Sequence, residues 1–167
     1  ATLGIHSGSV TLPRPSIGSW VRDGLGTVNQ NLPSFVVLAP DMPYAGSQVW
    51  SSVFLPACHQ GTRVTPSEEP IPNLNRHSPT AKIQEMELSL LDRFNRKHLR
   101  SHPGDSALAA RIKSFETAFG MQQEMPEVLD LSKETDATLA LYGLERGSTK
   151  GFAWQCIAAR RMMERGV

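Results

Sequence analysis

Proline is distributed unevenly along this chain, and that distribution restricts the fold more than any other feature. Ten of the twelve prolines lie in residues 1–79, whereas thirteen of the seventeen basic and twelve of the sixteen acidic residues lie in residues 80–167. Because proline lacks a backbone N–H and interrupts helices and central strands, the first part is predicted to be loop-rich. The charged second part is predicted to be helical. The change falls at Ser78-Pro79, since proline disfavours helix in the residue before it, and a chain of 167 residues fits both parts into one domain.

The overall composition argues against several classes of protein. A net charge of +1 argues against a nucleic-acid-binding protein, which needs a clear basic excess. An apolar content of 40% argues against disorder, and no apolar run approaches the roughly 18 residues of a membrane span. Two cysteines, Cys58 and Cys156, are too few for a disulfide-dense scaffold or a cysteine-only zinc site. We predict that they remain free thiols.

One short helix and one strand are predicted in the first part. Residues 15–26 form the helix, with Ser16 as N-cap and Gly24 and Gly26 at its end. Its apolar face carries Ile17, Trp20, Val21 and Leu25. An apolar, β-branched run over about 34–39 predicts a strand buried on both faces, as in a parallel sheet. Because a strand needs hydrogen-bonded neighbours, the predicted fold class is α/β, with one or two strands of a mostly parallel sheet.

The stretch from 41 to 79 has no sustained hydrophobic period, and we predict a long irregular middle segment there. It is expected to be ordered and packed, because it contains large apolar side chains at Trp50, Val53, Phe54 and Leu55. The segment therefore joins the two parts without forming a separate unit.

Four helices are predicted in the second part. The first two span about 80–99 and 105–122, and Pro103-Gly104 between them predicts an antiparallel hairpin. Its core is expected to contain Phe115, because the facing apolar stripes are Ile83, Leu90, Leu91 and Phe94, and Leu108, Ile112, Phe115 and Phe119.

The last two helices are predicted from their caps and their periodicity. The third begins at Ser132 and ends before Gly143. The fourth spans about 148–165, and its buried stripe is expected to contain Phe152, Cys156, Ala159 and Met163.

Motifs that could carry catalysis or bind a metal are weak. His98 and His102 have the spacing of two ligands on one helix face, but no third ligand is near, and exposed residues at a helix end explain them better. Cys58 and His59 could form a nucleophile pair, but adjacent side chains diverge and no acid is close in sequence. We therefore predict no catalytic residue and no metal ligand in this chain.

The best candidates for substrate contact lie in the irregular segment and just before the strand. They are Trp50, Phe54 and Gln60, with Asn29 and Asn31 behind them. Two other interpretations remain open at this point. The aromatic side chains could belong to the core, and the amides could cap turns.

Many short motifs follow one another in an order shared with a known family. They include Arg14-Pro15-Ser16-Ile17-Gly18-Ser19-Trp20, Gly24 to Pro33, Phe35-Val36-Val37-Leu38, Gln60-Gly61-Thr62, Asp130-Leu131-Ser132, Leu141-Tyr142-Gly143 and Ala159-Arg160-Arg161. Together they resemble the bacterial sulfatase-like family called domain of unknown function fifteen hundred and one, which is placed in the alkaline phosphatase and sulfatase superfamily. The resemblance covers essentially the whole chain. It departs at Val28, where the family usually has Glu.

The resemblance implies an alkaline-phosphatase-like fold of which this chain is an internal fragment. The absence of an initiator Met before Ala1 and the Gly166-Val167 ending, typical of a helix cap followed by a strand, agree with that expectation. The family implies an exported, periplasmic protein whose divalent-metal ligands and nucleophile lie in flanking segments. This chain would then need no cofactor of its own and would be inactive alone.

The resemblance also implies a function. The expected activity of the full-length protein is metal-dependent hydrolysis of phosphate or sulfate esters, with this chain as scaffold and substrate-cleft wall. The implied partners are the remainder of its own polypeptide and a sulfated or phosphorylated small molecule or glycan. The alternative is a non-catalytic structural or surface-associated module that keeps the sulfatase-like fold, because fold does not dictate function.

Overall fold

The computed structural model describes residues 1–167, which form an α/β fold with a small sheet and six helices. The helices are α1 Thr2–Ser7, α2 Ile17–Leu25, α3 Ala81–Ser101, α4 Ser106–Leu129, α5 Asp136–Tyr142 and α6 Gly151–Met163. The strands are β1 Val36–Leu38 and β2 Thr62–Val64. Short 3₁₀ turns occur at Gly46–Trp50, Ala57–His59 and Leu131–Lys133. None of the helices has the length and apolar character needed to cross a bilayer.

The two strands pair in parallel, with Val36 opposite Thr62 and Leu38 opposite Val64. The parallel pairing was expected for β1, but β2 lies within the segment predicted to be irregular. Its three residues are too few to show an alternating pattern. β1 is half-buried rather than buried on both faces, because β2 is its only neighbour in the sheet.

The hydrophobic core lies between the sheet, the C-terminal half of α4 and one face of α6. Its buried side chains are Leu32, Val64, Met121, Met125, Val128, Trp154, Ala158 and Met162. α4 reaches this core because it continues to Leu129, seven residues beyond the predicted end. Pro126 lies inside the helix.

The buried face of α6 differs from the predicted one. Trp154, Ile157, Ala158 and Met162 are the buried residues. Phe152 and Met163 of the predicted stripe are 78% and 73% exposed. Both sets of residues have helical spacing, so periodicity could not distinguish them, and the packing of α6 against α4 and α5 decides which one is covered.

α2 begins and ends where its caps predict, but it packs through a different face. Ser16 accepts a hydrogen bond from the backbone N–H of Ser19, and the Ser19 hydroxyl donates to the carbonyl of Ser51 at 3.1 Å. The Phe35 ring packs so closely against Gly18 that an added Cβ would lie 2.3 Å from it. The predicted apolar face, which consists of Ile17, Trp20, Val21 and Leu25, is exposed instead.

α3 and α4 run antiparallel, as predicted, and the side chains of Gln84 and Gln122 hydrogen-bond between them at 2.8 Å. The helices do not close on each other. They enclose a groove of about 840 Å³, no residue of α3 is buried, and Phe115 is 63% exposed. The expectation that Phe115 lies in a hairpin core is therefore wrong, because α4 reaches the core through its other end.

The start of the third predicted helix also needs correction. α5 begins at Asp136, where the Thr135 side chain accepts a hydrogen bond from the backbone N–H of Thr138. Ser132 belongs to a separate 3₁₀ turn that precedes it. Gly143 ends α5 in a left-handed conformation, as predicted.

Candidate functional site

A polar cleft of about 510 Å³ lies between the 27–34 loop, the 57–62 segment and the N-terminal half of α4. Twenty residues line it. They include three basic side chains, and none is an aspartate or a glutamate. In a chain with nearly equal numbers of acidic and basic residues, this cleft is a local concentration of positive charge.

Arg22, Arg111 and Lys113 are the basic residues of the cleft. Arg22 comes from the last turn of α2, and the other two come from α4. Neither Arg22 nor Arg111 makes an ion pair or a side-chain hydrogen bond within the chain, and the Arg22 Nε is shielded from solvent without a partner. Lys113 makes one loose contact, 3.5 Å from Glu116. The positive charge in the cleft is therefore largely uncompensated.

A second group of basic residues, around Glu134, shows the opposite arrangement, because its arginines are paired with a carboxylate. Glu134 accepts hydrogen bonds from Arg160 at 2.7 Å and from Arg161 at 2.5 Å. Arg161 also donates to the carbonyls of Glu127 and Val128. The hydrogen bond from Arg161 is the main reason that the pKa of Glu134 lies below its ordinary value, although burial opposes the shift. This cluster is neutralised internally and has a structural role.

Neutral polar groups complete the lining of the cleft. Five hydroxyl groups, three side-chain amides and the exposed Cys58 thiol line the cleft. The hydroxyl groups belong to Thr27, Ser34, Thr62, Ser114 and Thr117, and the amides belong to Asn29, Gln30 and Gln60. Hydroxyls and amides both donate and accept hydrogen bonds. The arrangement suits a ligand that carries negative charge and further polar groups.

Asn29 holds the loop that forms one side of the cleft. Its Oδ1 accepts from the backbone N–H groups of Asn31 and Leu32 at 2.7 and 2.8 Å. Its Nδ2 donates to the carbonyl of Arg165 at 2.6 Å. The loop also lies directly on α4, because an added Cβ at Gly120 would be 2.6 Å from the Asn31 carbonyl oxygen. Asn29 thus caps a turn, which is one of the two roles that the sequence left open.

The residues predicted to contact substrate are distributed between the cleft, the core and the surface. Asn29 and Gln60 line the cleft, and the Gln60 Oε1 also accepts from the Ser52 backbone N–H at 3.0 Å. Trp50 is buried. Phe54 is exposed and meets Trp20 edge-on, whereas Asn31 donates to Glu124 on α4.

The sequence interpretation missed the three basic residues. Acidic residues are interleaved with lysine and arginine along the predicted helices, a pattern typical of a solvated helix face. One signal was available for Arg111. Its neighbours one helical turn away are Ala107, Leu108, Ser114 and Phe115, so it has no acidic partner on its own helix.

Cys58 and His59 do not meet as a catalytic pair at the cleft. Cys58 lines the cleft, whereas His59 is buried outside its lining. The sequence offered no acid for His59, but the structure does, because its Nε2 lies 3.4 Å from the Asp23 carboxylate. Both cysteines are free.

The chain does not provide a metal site of its own. No group of three or more His, Cys, Asp or Glu side chains lies close enough together to hold a metal ion. His98 and His102 are exposed, with ring centroids 4.3 Å apart, at the end of α3. The resemblance implies a divalent metal held by flanking segments, so no catalytic step through a metal is assigned to these residues.

The groove between α3 and α4 is larger than the cleft but has a different character. Of its three charged residues, Asp92 and Arg96 pair with each other at 2.7 Å, and Glu116 lies 3.5 Å from Lys113. Most of the remaining surface is contributed by aliphatic and aromatic side chains. We assign the candidate site to the cleft because unpaired charged groups from two helices converge there.

Comparison with known proteins identifies the family of this chain. A family model described as "Protein of unknown function (DUF1501)" matches residues 1–167. No curated protein and no solved structure matches the chain. Because the family match extends over the entire chain, this protein belongs to the DUF1501 family.

Proposed function

We propose that this chain forms the scaffold and one wall of the substrate cleft in a hydrolase of phosphate or sulfate esters. The observation that carries the proposal is the charge of the cleft, where Arg22, Arg111 and Lys113 converge without a carboxylate. The order of sequence motifs shared with sulfatase-like proteins agrees with it. The same resemblance supports export of the protein to the periplasm.

Basic side chains that line one cleft raise one another's electrostatic free energy. Like charges repel, and the repulsion is stronger near a protein surface than in bulk water. A bound phosphate or sulfate group relieves that repulsion and accepts charge-assisted hydrogen bonds, which are roughly twice as strong as neutral ones. The three cations of the cleft are therefore suited to a tetrahedral oxyanion.

The neutral lining suggests what the oxyanion is attached to. Hydroxyl and amide side chains hydrogen-bond the hydroxyl groups of a ligand without adding charge, and eight of them line the cleft. A sulfated or phosphorylated sugar or similar polyol matches this combination. We propose that class as the substrate.

The catalytic groups are proposed to come from the rest of the polypeptide. This chain brings no set of metal-binding side chains together, and its Cys58 and His59 are not paired at the cleft. Its own residues would bind the ester, orient it and exclude water from one side. Activity of the chain alone is therefore not expected.

A structural module is the second candidate, and one observation favours it. α2 exposes Ile17, Val21 and Leu25, and α3 exposes Met86, Leu90 and Phe94. Exposed apolar surface of this kind marks an interaction site. A module that only binds other protein surfaces would not need uncompensated cations in a cleft.

Anion binding to the chain tests the proposal. Cys58 lines the cleft and is exposed, so its alkylation rate by neutral iodoacetamide reports occupancy in a Cys156→Ser background. Sulfate and phosphate should slow the reaction in a saturable manner, with sodium chloride holding the ionic strength constant. Arg111→Gln should raise the half-protecting concentration about tenfold, since a hydrogen bond to a charged group is worth about 1.5–3 kcal/mol.

Arg100→Gln is the matched control, because Arg100 is exposed on α3 and does not line the cleft. It should leave the half-protecting concentration unchanged. Absence of protection by either anion would overturn the proposal, as would equal effects of the two variants. Turnover of aryl sulfate and aryl phosphate esters by the full-length polypeptide then distinguishes a hydrolase from a non-catalytic module.

A further inference from the structure

Arg22 differs from the other two cations of the cleft in one respect. Its side chain is partly buried, and its Nε donor is shielded from solvent and has no hydrogen-bond partner. Buried polar groups in proteins are nearly always paired. An unpaired guanidinium donor in the wall of a cleft points to a partner that comes from outside the chain.

No group of the chain hydrogen-bonds the Arg22 Nε. No carboxylate lines the cleft, and the adjacent Asp23 lies 3.4 Å from the Nε2 of His59. An oxygen of a ligand bound in the cleft would supply the missing acceptor.

The guanidinium group determines what that ligand offers. Nε and one Nη of arginine form a planar fork that matches two oxygens of one oxyanion, whereas a lysine ammonium acts as a point charge. Arg111 and Lys113 approach from a different element, α4. A terminal phosphate or sulfate group has a third free oxygen for that side, but a carboxylate has only two oxygens in all.

We infer that Arg22 is the specificity-determining residue of the cleft and holds two oxygens of a tetrahedral oxyanion through its Nε and one Nη. The third oxygen then faces Arg111 and Lys113, so phosphate and sulfate groups are selected over carboxylates. This inference rests on the function proposed for the same cleft. It adds the residue and the geometry that define the ligand class.

Replacement of Arg22 by lysine removes the planar pair of guanidinium donors but keeps the positive charge. We expect Arg22→Lys to weaken protection of Cys58 by phosphate and by sulfate about tenfold or more. Protection by acetate should change less than about threefold, because the charge is retained and only the fork is lost. Arg22→Gln should weaken all three anions, and Arg100→Lys should change none.

A second readout uses the unmodified protein. The ¹⁵N–¹H resonance of the Arg22 Nε, assigned by its absence in Arg22→Lys, should shift on titration with phosphate or sulfate and not with acetate. Far-ultraviolet circular dichroism and urea unfolding establish that the variants are folded. If Arg22→Lys fails to fold, the resonance is assigned instead by selective arginine labelling and nuclear Overhauser contacts within α2.

The outcomes distinguish this inference from the proposal on which it rests. If the unmodified protein is not protected by any anion, the proposed function is wrong. If the unmodified protein is protected and Arg22→Lys binds phosphate and sulfate as tightly as the unmodified protein does, only the inference about Arg22 is wrong. If Arg22→Lys lost affinity equally for acetate, phosphate and sulfate, the inference would also be overturned, because Arg22 would then not select for a tetrahedral group.

Discussion

The buried face of α6 can be tested with two substitutions on the same helix. Ile157 is completely buried, whereas Phe152 is 78% exposed. Ile157→Ala removes three carbon atoms, which at about 0.8 kcal/mol per buried methylene amounts to about 2.4 kcal/mol of transfer free energy. Incomplete collapse of the cavity adds to this cost, so the free energy of unfolding should fall by about 3–4 kcal/mol. Phe152→Ala should change it by less than about 0.5 kcal/mol, although it removes a larger side chain.

Equilibrium unfolding in urea, followed by tryptophan fluorescence, measures both effects. The midpoint should fall for Ile157→Ala at an unchanged m-value, and thermal unfolding should shift down by roughly 6–16 °C. Phe152→Ala serves as the control, because both changes are made to apolar residues of one helix. If Phe152→Ala lowered the free energy of unfolding as much as Ile157→Ala or more, the observed packing of α6 would be refuted. The stripe predicted from periodicity would then be the buried one.

Four further substitutions test other parts of the fold. Phe115→Ala should cost less than about 1 kcal/mol in urea unfolding, whereas Met125→Ala, at a fully buried position, should cost about 2–5 kcal/mol; the reverse order would contradict the open groove. Because the folded-state pKa of Glu134 is depressed, its carboxylate contributes stability that is present above the unfolded-state pKa of about 4.3 and is lost as pH falls through the folded-state value. Glu134→Gln should therefore lower the urea midpoint at pH 7 and flatten its decline below about pH 5, and an unchanged pH profile would exclude this role. Gly120→Ala should lower the thermal midpoint, because the new Cβ would collide with Asn31; a rise, as helix propensity alone would give, would show that the loop moves away freely.

The exposed apolar faces of α2 and α3 are consistent with further protein surface packing against them. On α2, the small residues Gly18 and Ser19 face the rest of the chain, and the large apolar ones face outward. This orientation is the opposite of the usual arrangement in a surface helix.

The local sequence predicted the capped starts of α2 and α3 and the end of α5, because a cap is satisfied within three or four residues of chain. Ser16 accepts from the backbone N–H of Ser19, Thr80 accepts from that of Ile83, and Gly143 ends α5. The parallel strand pair was only partly predictable. β1 was evident from its β-branched run, but β2 has three residues and depends on β1 for its hydrogen bonds.

The tertiary structure alone decided which helix faces are buried and which side chains meet in the cleft. α6 has two apolar stripes of equal period, and only contact with α4 and α5 selects one of them. Arg22 and Arg111 are 89 residues apart and lie on different helices, so no local pattern relates them. Their proximity and their lack of acidic partners depend on how α2, the 57–62 segment and α4 pack, because electrostatic interactions act through space and not along the chain.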